Sequence, residues 1–234
     1  MNKTVWVLHG WALGPGNDLK WQPLVESLAG QTVTAEFLAL PGLDEPLQEV
    51  WGLEEYLTWL TDQLPPEPVV LLGHSFGGQL ATKFAARYPD RVERLILIAP
   101  AGIKDRSLKA TIKRTVFKNL AAVGKHLTRS ERARKLLYKA AREQDYLQAD
   151  PMLRQTMRNV INTEILDDIP KLSAQTLLIW GVQDQATPFR HHQYFLQNPQ
   201  VEFEPIQSAR HAPQFTHPEL VAKTIGDFLQ GNNS

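Results

Sequence analysis

Gly73-His74-Ser75-Phe76-Gly77 places a hydroxyl midway between two glycines, directly behind the apolar run at residues 69–72. A serine on a sharp turn at the end of a buried strand holds its Oγ out into solvent, and the flanking glycines let the backbone fold back on itself. The stretch that follows, residues 78–88, reads as a helix whose amino end points at the serine and favours developing negative charge. This arrangement suits nucleophilic chemistry, provided that a base takes the hydroxyl proton and a carboxylate orients the base.

A strand-end serine of this kind takes its partners in the chain order Ser, acid, His, each just past a later strand. The acid candidate is Asp184, four residues beyond the apolar run at 176–180, in Gly181-Val182-Gln183-Asp184-Gln185-Ala186-Thr187-Pro188. Asp105, after the run at 94–99, holds a rival position. The base candidate is His211, in Gln207-Ser208-Ala209-Arg210-His211-Ala212-Pro213, which follows the last apolar run and precedes a helix. His217 is the alternative, although His217-Pro218 reads better as the end of a loop and the start of the last helix. His9, His74, His126, His191 and His192 read as structural or surface residues. The adjacent pair His191-His192 lacks the spacing of metal ligands, so neither a metal nor a cofactor is expected.

Acyl chemistry also needs two N–H donors aimed where an oxyanion forms. One is the amide after the nucleophile, that of Phe76. The other is expected from His9-Gly10-Trp11-Ala12-Leu13-Gly14-Pro15-Gly16, where Gly10 permits close approach and makes the Trp11 amide the second donor. The side chains of Trp11 and Phe76 are expected to line the substrate pocket.

The positioning elements follow from hydropathy. Apolar runs at 4–8, 33–40, 69–72, 94–99, 176–180 and 201–206 alternate with helical patterns at 19–28, 53–64, 78–88 and 218–229. Four of the runs are nearly continuous rather than alternating, as strands covered on both faces of a parallel sheet are. The expected fold is α/β, a mostly parallel sheet of about six strands flanked by helices. One interval breaks the rhythm. Leu108, Ile112, Val116, Leu120, Val123 and Leu127 form a helical stripe, and Leu153, Met157, Val160 and Ile161 another. A structureless loop of that length is improbable, so residues 103–170 read as a helical cap inserted into a core formed by 1–102 and 171–234.

His9-Gly10, Gly73-His74-Ser75-Phe76-Gly77-Gly78, Gly181-x-x-Asp184 and Arg210-His211-Ala212-Pro213, in this order over nearly the whole chain, resemble the α/β-hydrolase superfamily. A weaker resemblance links Leu8-His9-Gly10-Trp11-Ala12-Leu13, Leu40-Pro41-Gly42 and His211-Ala212-Pro213-x-x-x-His217-Pro218 to the pimeloyl-acyl-carrier-protein methyl esterase group. That likeness implies a helical cap and cleavage of carboxylic esters by a serine enzyme. The same triad on this fold also serves carbon–carbon, lactone or amide hydrolysis, and a slow-turnover ligand receptor keeps the pocket. Two departures stand out. The chain opens directly on what would be the family's third strand, and the family's Gly-x-Gly-x-Ser reads Pro41-Gly42-Leu43-Asp44-Glu45.

The chain has 234 residues, 25 Lys+Arg against 25 Asp+Glu, and no cysteine. That size suits one domain with a subdomain. The missing thiols exclude disulfide frameworks, zinc ribbons and thiol catalysis. No apolar run approaches the ~20 residues that cross a bilayer. The start of the sequence has too short an apolar stretch for a signal peptide, which makes a cytoplasmic location the expectation. Charge is unevenly spread: residues 103–158 hold 15 Lys+Arg against 5 acids. Such a field steers acidic partners, and an acidic acyl-carrier protein, an anionic substrate or an anionic membrane surface each fits it. Solvated helix faces with snorkelling Lys and Arg fit it equally. Aromatic interleaving is sparse (Phe117, Tyr138, Tyr146), so nucleic acid is not an expected partner.

Overall fold

The computed structural model describes residues 3–12, 18–104 and 151–231. Most of the expected cap, with the rival acid Asp105 and twelve of the fifteen basic residues, lies outside the described residues. Six strands are present: β1 (Lys3–Leu8), β2 (Val33–Phe37), β3 (Val69–His74), β4 (Val92–Ile98), β5 (Gln175–Gly181) and β6 (Val201–Ile206). They form one sheet in the order β2-β1-β3-β4-β5-β6, and every pairing is parallel.

Burial follows position in that order. All six residues of β3 are buried, as are all of β5 except Gln175. The edge strands alternate or are half exposed, with Glu36 on β2 and Glu202, Glu204 and Pro205 on β6. A proline fits an edge because it has no N–H for a further strand. Along β3, Val69 and Leu71 join one apolar cluster while Val70 and Leu72 join the other. β4 splits the same way, Leu95 and Leu97 against Ile96 and Ile98. Period-two side-chain direction thus turns a continuous apolar run into two cores, one on each face of the sheet. Each fully buried Leu or Ile contributes about 1.5–3 kcal/mol from apolar burial.

α2 (Leu53–Gln63) and α3 (Phe76–Arg87) cover one face; α1 (Gln22–Ala29) and a long C-terminal helix (Pro218–Gln230) cover the other. The expected run at 33–40 ends as a strand at Phe37. Leu38 N–H still reaches the Val7 carbonyl, but Leu43 and Asp44 then donate to the Leu40 carbonyl in a turn around Pro41 and Gly42 (φ 87°). α3 begins two residues earlier than its apolar periodicity suggests, because Ser75 alone makes the turn out of β3.

Within the expected cap, the described part includes α4 (Pro151–Ile161). Its inward stripe is Leu153, Thr156 and Val160; Ile161, expected inward, is 59% exposed. Thr156 replaces Met157 on that stripe because its hydroxyl accepts the Trp51 N–H at 2.9 Å. The side-chain amide of Gln79, from the first turn of α3, donates to the carbonyls of Val160 (3.1 Å) and Thr163 (2.8 Å). These bonds tether the end of α4 to the helix that starts behind Ser75.

Candidate active site

The order of the sheet locates a crevice. The chain adds β2 on one side of β1 and then crosses to add β3 on the other, so the loops leaving β1 and β3 diverge at their carboxyl ends. In open α/β sheets such a switch point opens the binding crevice. The loops leaving these two strands carry Gly10-Trp11 and Ser75.

Ser75 sits at φ 52° and ψ −112°, a left-handed conformation that costs a non-glycine residue about 1–3 kcal/mol. The surroundings over-determine it. Its N–H donates to the Ile98 carbonyl, and its carbonyl accepts from Gln79 and Ala101. A Cβ on Gly77 would lie 2.0 Å from the Leu8 carbonyl oxygen, and one on Gly73 would lie 2.4 Å from the Gly77 oxygen. Only hydrogen fits at either position, which is the physical content of the Gly-x-Ser-x-Gly spacing.

His211 comes to this serine from 136 residues away in sequence, with its Nε2 3.0 Å from Ser75 Oγ. The other ring nitrogen, Nδ1, donates to Asp184 Oδ2 at 2.8 Å. The structure therefore brings Ser75, His211 and Asp184 into one chain of hydrogen bonds. His217 stands apart, bonded to Ser208 and Thr216 and capping the last helix. Between His211 and that helix lies a short turn of helix, Pro213–Thr216, which no periodicity in the sequence announces.

Asp184 is buried and richly bonded. Its Oδ1 accepts the Ala186 N–H (2.7 Å) and the Thr187 N–H (3.2 Å). Its Oδ2 accepts the Thr187 hydroxyl (2.7 Å) and the Trp180 indole N–H (3.2 Å) besides His211. Burial alone would push its pKa up. The His211 hydrogen bond and charge, the Thr187 hydroxyl and the Ala186 amide outweigh burial and hold the carboxyl below its ordinary value. An ionised Asp184 keeps the proton of neutral His211 on Nδ1, leaving the Nε2 lone pair for the serine.

Three supporting groups were not singled out by sequence reasoning. Thr187 bridges Asp184 and the Ala99 carbonyl, the latter at 3.2 Å. His74, read as structural or surface, is buried, with Nε2–H donating to the His211 carbonyl at 3.1 Å. Burial, with the nearby His211 charge, pushes its pKa down to about 3, so it is neutral. His9 is also buried, its Nε2 2.6 Å from Asp44 Oδ2. The available signal for Thr187 and His74 was adjacency to the motifs; for Asp44, 35 residues from His9, it was only its place in the segment that departs from the family's pattern.

Gly10 packs against the Ser75 turn: a Cβ there would lie 2.7 Å from His74 Nδ1 and 3.2 Å from Ser75 Cβ. Among the described residues, neither the Trp11 nor the Phe76 amide donates to a backbone carbonyl. The Trp11 and Phe76 rings are 5.3 Å apart, and Tyr56 packs edge-on against Phe76 at 5.3 Å. The Trp11 indole N–H is buried without a hydrogen-bond partner among the described residues. Leu13 and the glycines after it lie outside the described residues. Among the described residues no group of three His, Asp or Glu side chains is arranged to hold a metal, and no helix is long and apolar enough to cross a membrane.

A parallel sheet with a strained serine between β3 and α3, and His and Asp beyond later strands, defines the α/β-hydrolase architecture. The family model for the alpha/beta hydrolase fold matches residues 3–218, and the chain belongs to that family. Among curated proteins it is 27% identical to a pimeloyl-[acyl-carrier protein] methyl ester esterase of Aeromonas hydrophila, covering 95% of this chain and 94% of that one. It is 25% identical to the protein of the same name from Shewanella woodyi, over 95% of this chain and 92% of that one. Among solved structures, a bacterial membrane phospholipase A superposes with a TM-score of 0.73 at 22% identity, covering all of this chain and 80% of that one. A meta-cleavage product hydrolase from Pseudomonas fluorescens superposes at 0.67 and 19% identity, covering 99% of this chain and 92% of that one. These two establish likeness of fold.

Proposed function

We propose that this chain is a serine carboxylic-ester hydrolase that works through an acyl-enzyme. The observation that carries the reading is the continuous path Ser75 Oγ–His211–Asp184 Oδ2, with links of 3.0 and 2.8 Å. In this reading Ser75 Oγ attacks the ester carbonyl as its proton passes to His211 Nε2, and Asp184, staying ionised, stabilises the imidazolium. The carbonyl oxygen, now an alkoxide, is met by the Trp11 and Phe76 amides. Collapse breaks the C–O bond, and His211 returns its proton to the departing alcohol. Water then repeats the sequence on the acyl-serine: His211 takes its proton, and Ser75 leaves with that proton as the acid is released.

The substrate we propose is an acyl ester carried by an acidic acyl-carrier protein. The names of the two esterase relatives, aligned over nearly their whole length, support this. So does the excess of basic residues in the proposed cap at 103–170, of which Lys104, Arg154 and Arg158 are among the described residues. Trp11 and Phe76 would line the acyl pocket, with the helical cap over it.

The test has two arms. Ser75→Ala should abolish both fluorophosphonate labelling and turnover of p-nitrophenyl butyrate; retained turnover would sink the serine mechanism. Hydrolysis of an acyl-carrier-bound methyl ester should weaken as salt rises from 0.05 to 0.5 M, roughly the range over which charge screening becomes strong. Small-ester turnover should not change. A preference for the carrier-bound ester that is indifferent to salt would argue against electrostatic docking.

A further inference from the structure

His9 has an unusual set of partners. Its Nε2 is 2.6 Å from Asp44 Oδ2, and its Nδ1 is 2.7 Å from the carbonyl oxygen of Gly10. A carbonyl oxygen accepts hydrogen bonds and cannot donate, and an ionised carboxylate only accepts. With Asp44 as a carboxylate, both ring nitrogens are donors to these two oxygens. Asp44 is itself held, because the same Oδ2 accepts the Leu40 N–H at 2.8 Å.

The Gly10 carbonyl and the Trp11 N–H belong to one peptide plane and point in opposite directions. A donor that pins the carbonyl from behind therefore aims the N–H forward. His9 is fixed from its backbone as well, its own carbonyl accepting the Gly77 N–H at 3.1 Å. Gly10 brings no side chain to resist rotation of that peptide, so the His9 ring is what orients it.

We propose that Asp44 and His9 form a positioning pair that sets the oxyanion-binding amide of Trp11. This rests on the functional reading above, in which that amide meets the alkoxide. The pair does not touch the reacting atoms; it acts through the Gly10–Trp11 peptide. In Asp44→Asn the shape is kept but the counter-charge is lost. A ring left with one proton then turns a lone pair either on the Gly10 carbonyl or on the oxygen of residue 44, and the peptide loses its fixed direction. Complete loss of an oxyanion donor costs about 10²–10³ in kcat, so misorientation should cost about tenfold.

The experiment compares wild type, Asp44→Asn and Ser75→Ala on p-nitrophenyl butyrate, with two inhibitors: an alkyl trifluoromethyl ketone, which forms a tetrahedral adduct, and the matching methyl ketone. The pair predicts for Asp44→Asn a kcat about tenfold lower, an unchanged KM, and trifluoromethyl ketone affinity reduced by the same factor with methyl ketone affinity unchanged. A purely structural defect would instead lower the melting temperature and the active fraction without separating the two ketones. Wild-type kcat and ketone affinities in Asp44→Asn, with Ser75→Ala dead, would overturn the positioning pair alone. Activity in Ser75→Ala would overturn the serine reading on which it stands. Nitrogen-15 NMR of the wild-type histidines gives a check free of any variant: His9 should show protons on both ring nitrogens, and a single proton there overturns the proposal.

Discussion

Two His–Asp pairs flank the Ser75 turn, one behind β1 and one behind β5 and β6, and their distances are nearly the same. His211 meets Asp184 at 2.8 Å and His9 meets Asp44 at 2.6 Å. The far nitrogen separates them. On His211 it faces a hydroxyl, which can donate to a lone pair, so that ring can receive a proton and return it. On His9 it faces a carbonyl oxygen, which can only accept, and in the proposed pair that ring serves as a brace. A carboxylate beside an imidazole is thus not a sufficient mark of a base; the partner of the other nitrogen decides.

Substitutions of the two histidines should separate the pairs most sharply. His211→Gln is expected to lower kcat by about 10⁶, as removal of a base acting in concert with its nucleophile does, whereas loss of the His9 brace should cost no more than an oxyanion donor. Steady-state turnover by both variants at matched active-site concentration checks this; comparable losses would erase the distinction. Substitution of the carboxylates sharpens it further. Asp184→Asn is expected to cost about 10⁴ in kcat by stabilising the wrong tautomer of His211, against about tenfold for Asp44→Asn.

A smaller effect comes from the hydroxyl that serves only the base-side pair. Thr187→Val keeps the volume and removes a hydrogen bond to a charged carboxylate, a bond worth about 1.5–3 kcal/mol. Denaturant unfolding should show a loss of that order, with a modest fall in kcat; no change would mean that the Ala186 and Thr187 amides suffice to hold Asp184.

A further effect, on stability rather than on turnover, is a slope with pH. The pKa of His74 is depressed in the folded chain, to about 3 against an ordinary 6.5, so protons favour the unfolded form. Its contribution to stability is fully present above 6.5 and is lost as pH falls toward 3. Asp184, held below its ordinary 3.8, contributes stability that is present above that value and lost as pH falls through its lowered pKa. The melting temperature should begin to fall below pH 6.5 and fall faster below 3.8. His74→Gln should flatten the first segment and leave the second; an unchanged first segment would clear His74.

Legibility in the sequence tracked the range of the interaction. The six strands were readable because apolar runs record burial on both faces. Their ends were less so: the strand beginning at Val33 stops at Phe37 because a Pro41-Gly42 turn overrides apolar character that continues to Leu40. Ser75 was readable because its two glycines report a local steric demand. Asp184 and His211 followed from their positions after strands, and the geometry brings them together with Ser75. Thr187 and His74 act through contacts that leave no periodic trace. The inward choice of Thr156 over Met157 was set by a partner, the Trp51 N–H, 105 residues away.

Local sequence by itself determined the alternation of strands and helices, the left-handed serine turn and the identity of the residues available for acyl chemistry, because each depends on hydropathy or sterics within a few residues. Only the tertiary structure decided which histidine faces a hydroxyl and which faces a carbonyl. That choice depends on what stands 3.0 Å from one nitrogen in one case and 2.7 Å in the other, and the sheet sets both distances.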